Sequence, residues 1–273
     1  MRNRAASYLR FLKVGERFPG MARYVASAVW LGFLDAEDLT DITVETYEGT
    51  SGFETAEHNL SGFSPWEEEA VAQHFSSCRT ILVAGAGAGR EVIALARLGF
   101  DVVGFDGTRD LVDAGRAHLA ATGLSATLLH AKASAVPEGT GQFDGLMIGR
   151  GFYHHIPGRR SRVAFLRACA GHLNDNAAVL IGNFMLRAPT GRGLGYTYAV
   201  AHAISRLRRG SYRVEPGDVL SEGYFHRFLP EEISTELGLA GMTLVRLDSA
   251  TGDEAGVGRA VGRRLPKPND PTD

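Results

Sequence analysis

The sequence predicts a doubly wound α/β fold, and three observations carry that prediction. Short runs that are apolar throughout alternate with segments of helical period between residues 80 and 181, as in a parallel sheet covered on both faces. The first of those runs enters its helix through a turn of three alternating glycines, Gly85, Gly87 and Gly89. The rhythm breaks after Ile181 and returns beyond Pro230 with a last helix and two more runs, giving seven expected strands in all.

Along the chain, residues 1 to about 40 carry Leu9, Leu12, Phe18, Met21, Tyr24, Val25, Ala28 and Leu31 at helical steps around a break at Pro19-Gly20. Two short helices are expected there. Residues 47–65 read as a loop, and Pro65 then suits the first turn of a helix over 66–75 whose opening glutamates complement the helix dipole. Strands follow at 80–84, 102–105, 126–129, 145–148 and 178–181, with helices at 90–98, 110–121 and 161–173 between them. Val163, Leu166, Ala170 and Leu173 give the last of these a single buried stripe.

Residues 186–222 read as an insertion containing Gly191, Gly193 and Gly195 and a helix with the stripe Tyr196, Val200, Ile204 and Leu207. Arg206, Arg208 and Arg209 cluster at its end. A helix opened by Pro230, Glu231 and Glu232 and closed by Gly241 precedes the strands at 242–247 and 257–261, which look antiparallel. The expected organisation is a helical cap and loop at 1–63, a main domain at 64–264 carrying the insertion, and a disordered proline-bearing tail at 265–273.

Composition narrows the partners. Of 273 residues, 29 are Lys or Arg and 31 Asp or Glu, a net charge of −2 without the broad basic field that non-specific nucleic-acid binding uses. A small molecule is the better partner. Two cysteines with no metal-type spacing fit a reducing, cytoplasmic setting, and no metal ligand set is expected. No apolar segment is long enough to be a signal peptide or a membrane span. Glycine stands out: 34 residues against about 19 at an average usage of about 7%.

The glycines cluster where a ligand would sit. In Ile81-Leu82-Val83-Ala84-Gly85-Ala86-Gly87-Ala88-Gly89-Arg90-Glu91 a buried strand runs through G-x-G-x-G into a helix, whose first N–H groups point outward. Asp106 closes the next strand, where a carboxylate can accept both hydroxyls of a ribose. Arg90 holds the place at which a dinucleotide site needs its third glycine, which argues against a nicotinamide-dependent oxidoreductase.

These motifs resemble the class I S-adenosylmethionine-dependent methyltransferases of small-molecule type, and Phe143 to Ile148, His154-His155-Ile156, Phe225 to Glu232 and Ala240-Gly241-Met242 extend the resemblance over about residues 64 to 262. It implies a seven-stranded, mostly parallel, Rossmann-like methyltransferase fold with the N-terminal helices and the insertion as a cap. S-adenosylmethionine is the implied cofactor, contacted by Gly85, Ala86, Gly87, Gly89, Asp106, Gly107, Gly149 and Arg150. Lys132 stands where the family has an acid for the adenine, leaving Ala133 and Ser134 for that contact. The acid before the glycines is also missing, so Arg90 or Tyr47 is the candidate for holding the methionine moiety.

The implied reaction is methyl transfer to an O, N or C atom of a small acceptor. A protein or RNA methyltransferase is the alternative, although Gly149-Arg150-Gly151 replaces the motif used on nucleobase amino groups. His154 and His155 lie after the fourth strand, at the end of the sheet where doubly wound folds put substrates, and either suits a general base. Tyr153 is a candidate to line the same pocket, with His226 behind it, and the insertion is the expected lid.

Overall fold

The computed structural model describes residues 3–15, 20–48, 52–132, 135–187, 192–208, 212–250 and 255–266. The N-terminal region forms α1 (Asn3–Gly15), α2 (Gly20–Phe33), α3 (Ala36–Glu48) and the short α4 (Ala56–Leu60). That is more helix than the sequence pattern indicates, because α3 extends into the stretch read as a loop and α4 lies within it. Pro19, the proposed break, falls outside the described residues, as do Gly191, Arg209 and the tail beyond 266.

The main domain follows with α5 (Pro65–His74), β1 (Thr80–Ala84), α6 (Arg90–Arg97), β2 (Asp101–Asp106), α7 (Arg109–Thr122), β3 (Thr127–His130), β4 (Phe143–Ile148), α8 (Arg159–Gly171) and β5 (Leu173–Met185). Ser64 caps α5 as the pattern requires: its N–H donates to Glu67 Oε2 at 2.7 Å while Pro65 fills the first helical position. A 3₁₀ turn, Tyr153–His155, links β4 to α8. Beyond β5 come α9 (Arg192–Leu207), a hairpin of β6 (Asp218–Leu220) and β7 (Tyr224–His226), then α10 (Pro230–Leu239), β8 (Met242–Ser249) and β9 (Val257–Arg264).

The main sheet has seven strands in the order β3-β2-β1-β4-β5-β9-β8, parallel except for β9, which runs against both β5 and β8. Its core strands are buried on both faces, with Ile81, Leu82 and Val83 of β1 fully enclosed. One face carries α8 and α10 around Phe165, Leu166 and Ile233; the other carries α5 to α7 around Phe75, Val92 and Val112. No helix among the described residues is long and apolar enough to cross a membrane.

The insertion differs most from expectation. Helix α9 packs on α2, where the backbones approach so closely that a Cβ on Gly32 would lie 2.7 Å from the Ala201 carbonyl. Among its described side chains the buried positions are Ala201 and Ser205, whereas Leu207 is 84% exposed, so the proposed stripe is offset around that part of the helix. With α1 to α3 and the hairpin it forms a third apolar cluster around Tyr8, Leu31, Ile42, Tyr212 and Tyr224. Tyr8 and Thr46 fasten the hairpin turn, donating to the carbonyls of Ser221 and Glu222.

Candidate functional site

A cleft of about 250 Å³ opens at the carboxyl ends of β1, β2 and β4, between the glycine turn and the helices α3 and α4. Its floor is the G-x-G-x-G turn. Gly85, Gly87 and Gly89 all have positive φ, a region that costs a side-chain-bearing residue strain. At Gly85 and at the neighbouring Gly149 space forbids a side chain as well: a Cβ on Gly85 would lie 2.2 Å from the Phe152 ring, and one on Gly149 would lie 2.2 Å from the Gly85 carbonyl. Gly149 and Gly89 therefore shape the turn from behind it, while Gly85, Ala86 and Gly87 line the cleft.

Asp106 ends β2 beside this turn. Its Oδ2 accepts the Gly87 N–H at 2.9 Å and its Oδ1 accepts the Thr108 N–H at 2.8 Å, which fixes the carboxylate against the loop. Burial raises its pKa despite those hydrogen bonds. Gly107, Thr108 and Leu111 continue the same wall. Ala133 and Ser134 lie outside the described residues, and Lys132 is exposed.

Arg90 is corrected. Its NH1 donates to the Gly62 carbonyl and to Glu67 Oε2, and its NH2 to Glu67 Oε1 at 2.6 Å and Glu91 Oε1 at 2.7 Å. These bonds occupy the guanidinium, which ties the loop before α5 to the first turn of α6 instead of offering itself as a carboxylate clamp. Burial alone would raise the Glu67 carboxyl, but the hydrogen bond and charge of Arg90 outweigh it and hold the pKa below the ordinary value. Glu91, which the motif reading passed over, lines the cleft and stands 3.4 Å from the Arg150 N–H. Arg150 lines it too.

The three residues of the 3₁₀ turn go to different places. Tyr153 points into the core, stacked on Phe228 at 5.4 Å with its hydroxyl donating to buried Glu236 at 2.5 Å, so it does not serve the cleft. His154 lies under the wall with its Nδ1 buried and unpartnered, 4.3 Å from the His155 ring, and does not line the cleft. His155 does line it. Its Nδ1–H donates to the Tyr224 carbonyl of β7, which leaves the Nε2 lone pair to accept the Tyr47 hydroxyl at 3.0 Å. Burial lowers the His155 pKa, partly offset by that carbonyl, so the ring is neutral at physiological pH. Burial and then the Asp106 charge raise the Tyr47 pKa, which keeps its hydroxyl protonated.

The cap side of the cleft comes from Thr40, Thr43, Val44, Phe53, His58 and Asn59, none of which the motifs indicated. The amphipathic signal of the N-terminal region was legible, but its position over the cleft depends on packing between helices. None of the described residues of the insertion lines the cleft. Tyr212 of the insertion is buried against Asp218, away from the cleft, and the side chain of Tyr196 lies outside the described residues. His226 is likewise buried, with Nδ1 donating to Asp218 at 2.7 Å, in the structural network that supports the hairpin.

Residues 81–176 match a family model described as a methyltransferase domain. No curated protein matches the chain. Solved structures share its fold at low identity. One is a SAM-dependent methyltransferase of Methanosarcina mazei, with TM-score 0.58 and 17% identity over 76% of this chain and 100% of that one. Another is the 1,6-didemethyltoxoflavin-N1-methyltransferase of Burkholderia thailandensis, solved with 1,6-didemethyltoxoflavin and S-adenosylhomocysteine. It has TM-score 0.61 and 17% identity over 85% of this chain and 92% of that one. A third, the CcbJ methyltransferase of Streptomyces caelestis, gives 0.56 and 15% over 84% and 98%.

Proposed function

We propose that this chain, whose residues 81–176 match a methyltransferase-domain model, moves the methyl group of S-adenosylmethionine to a small molecule held in the cleft under α3 and α4. The observation that carries the reading is the position of Asp106: a carboxylate locked against a turn of three positive-φ glycines, at one wall of the cleft under α3 and α4. The sheet supports it as well, since a dinucleotide fold of the usual kind has six parallel strands, and here β9 runs antiparallel between β5 and β8. The cap side brings Val44, Tyr47 and Phe53 beside Thr40, Thr43 and Asn59 and, among the described residues, no Lys, Arg, Asp or Glu, which suits a small acceptor better than a nucleic-acid strand.

When bound, the cofactor supplies a methyl group already activated on a sulfonium, so the protein's contribution is alignment and exclusion of water. Asp106 would hold the ribose hydroxyls and the glycine turn would lie against the nucleoside. Glu91 would take the place of the missing acid before the glycines and receive the α-ammonium group, with Arg150 near it for the carboxylate.

Two measurements test this reading. Thermal unfolding with S-adenosylhomocysteine at 100 times its Kd should show a gain of about 2.7 kcal/mol, with no shift from NAD or NADP; a shift from NAD alone would sink the proposal. Glu91→Gln should weaken S-adenosylhomocysteine roughly 10-fold, the value of about 1.4 kcal/mol for a lost charge-assisted contact. The same variant should bind 5′-methylthioadenosine, which lacks the amino-acid moiety, as the parent protein does. Equal loss for both ligands would assign Glu91 a purely structural part.

A further inference from the structure

We propose that Tyr47 is the group that takes the acceptor's proton, that His155 receives it in turn, and that the acceptor is consequently a neutral hydroxyl compound (an alcohol, enol or phenol) and not a carboxylate. The inference rests on the methyl-transfer reading above and adds to it the chemistry of the acceptor. Both side chains line the cleft, and they come from elements distant in sequence, α3 and the turn after β4. They meet through a hydrogen bond of 3.0 Å and an edge-on ring contact at 5.5 Å.

The direction of that hydrogen bond decides what the cleft offers. The Tyr224 carbonyl can only accept, so His155 carries its proton on Nδ1 and keeps a lone pair on Nε2. The Tyr47 hydroxyl therefore donates to His155, and what it presents to a ligand is an oxygen lone pair. A neutral O–H can donate to it; a carboxylate, which only accepts, cannot. The charged and titratable groups around the pair are Arg90, Glu91, Asp106 and Arg150 on the cleft wall, His58 of α4 and His154 beside His155. The negative charge of Asp106 disfavours a standing tyrosinate, so Tyr47 works as a relay and His155 as the final base.

The step balances without another reactant. The acceptor oxygen forms its bond to the methyl carbon as the carbon–sulfur bond breaks and the electron pair returns to sulfur. The acceptor's proton passes to the Tyr47 oxygen while the Tyr47 proton passes to His155 Nε2. A cationic sulfonium and a neutral imidazole become a neutral thioether and an imidazolium, so the cleft keeps the same net charge throughout. This matters because burial disfavours added charge at His155.

The test uses the full chain with S-adenosylmethionine and matched sets of phenols, enols and carboxylic acids, following S-adenosylhomocysteine production and calorimetric cofactor binding together. Methylated products from hydroxyl compounds are expected, with kcat lowered by about 10²- to 10⁴-fold in Tyr47→Phe and His155→Gln, at nearly unchanged cofactor affinity. The deficit should shrink for phenols already ionised at the assay pH, a response that a structural role for Tyr47 would not give. Nitrogen-15 spectra should show the His155 proton on Nδ1. Preferred methylation of carboxylates, an unaltered kcat in Tyr47→Phe, the opposite tautomer, or no hydroxyl substrate despite normal cofactor binding would each overturn the relay. Failure of the parent chain to bind S-adenosylhomocysteine would instead overturn the methyl-transfer reading itself.

Discussion

Replacing Arg162 with methionine is expected to lower the unfolding free energy by about 3–5 kcal/mol, the cost of stranding a buried charge. Arg162 is fully buried in α8 and donates to Glu236 of α10 through Nε at 3.0 Å and NH2 at 2.6 Å, and to Glu215 at 3.0 Å. Its guanidinium also lies 5.1 Å from the centre of the Phe228 ring. Without it, Glu236 keeps the Tyr153 hydroxyl and a longer contact of 3.7 Å to Arg159, too little to compensate a carboxylate with no exposure.

A loss of that size corresponds to roughly 6–20 °C in Tm, at about 2–4 °C per kcal/mol for a protein of this size. Urea unfolding at neutral pH measures it directly. Arg162→Met combined with Glu236→Leu should recover most of the loss, since replacing both members of a buried pair with apolar groups is often neutral. A single substitution costing less than about 1 kcal/mol, as an exposed pair would, would contradict the assignment of this pair as the tie between α8, α10 and the loop before the hairpin.

The largest effect on binding is expected at Asp106. Asp106→Ala removes the proposed ribose acceptor and the partner of two loop N–H groups, Gly87 and Thr108. Hydrogen bonds to a charged group are worth about 1.5–3 kcal/mol, so S-adenosylhomocysteine should bind roughly 10- to 100-fold more weakly, read by calorimetry. The pH dependence carries a sign. Burial raises the Asp106 pKa, so affinity that needs the carboxylate is present above that pKa and lost as the pH falls through it. In the parent protein the loss should begin at a higher pH than an exposed aspartate would give, and it should vanish in Asp106→Ala. An unaltered Kd in the variant would remove Asp106 from the site.

Much of this site is legible in the sequence because its parts are local. The turn from Gly85 to Gly89 and the acid at Asp106 are fixed by strand-to-helix geometry within about one βαβ unit, and the five parallel strands between residues 80 and 181 follow from short apolar runs. What the sequence does not reveal depends on contacts across the fold. Arg90 looks like a free cation beside a ligand turn until Glu67, from a helix 23 residues earlier, is seen to grip it. Tyr153, His154 and His155 are neighbours in one 3₁₀ turn, and no periodicity says that the first enters the core and the third faces the cleft. In α9 the buried pair Ala201 and Ser205 is small, and small residues mark a close helix contact that a search for large apolar side chains overlooks. The cap over the cleft is α3, fastened to the hairpin through Thr46, and α4, packed on α6 and α7, while the insertion supports the cap from outside.

The crystal structure of the full chain with S-adenosylhomocysteine tests the central claim most directly. The predicted result is a nucleoside lying along Gly85 to Gly87, ribose hydroxyls on Asp106, and sulfur directed at the space before Tyr47 and His155. A ligand bound elsewhere, or a sulfur facing away from that pair with Asp106 uncontacted, would contradict it.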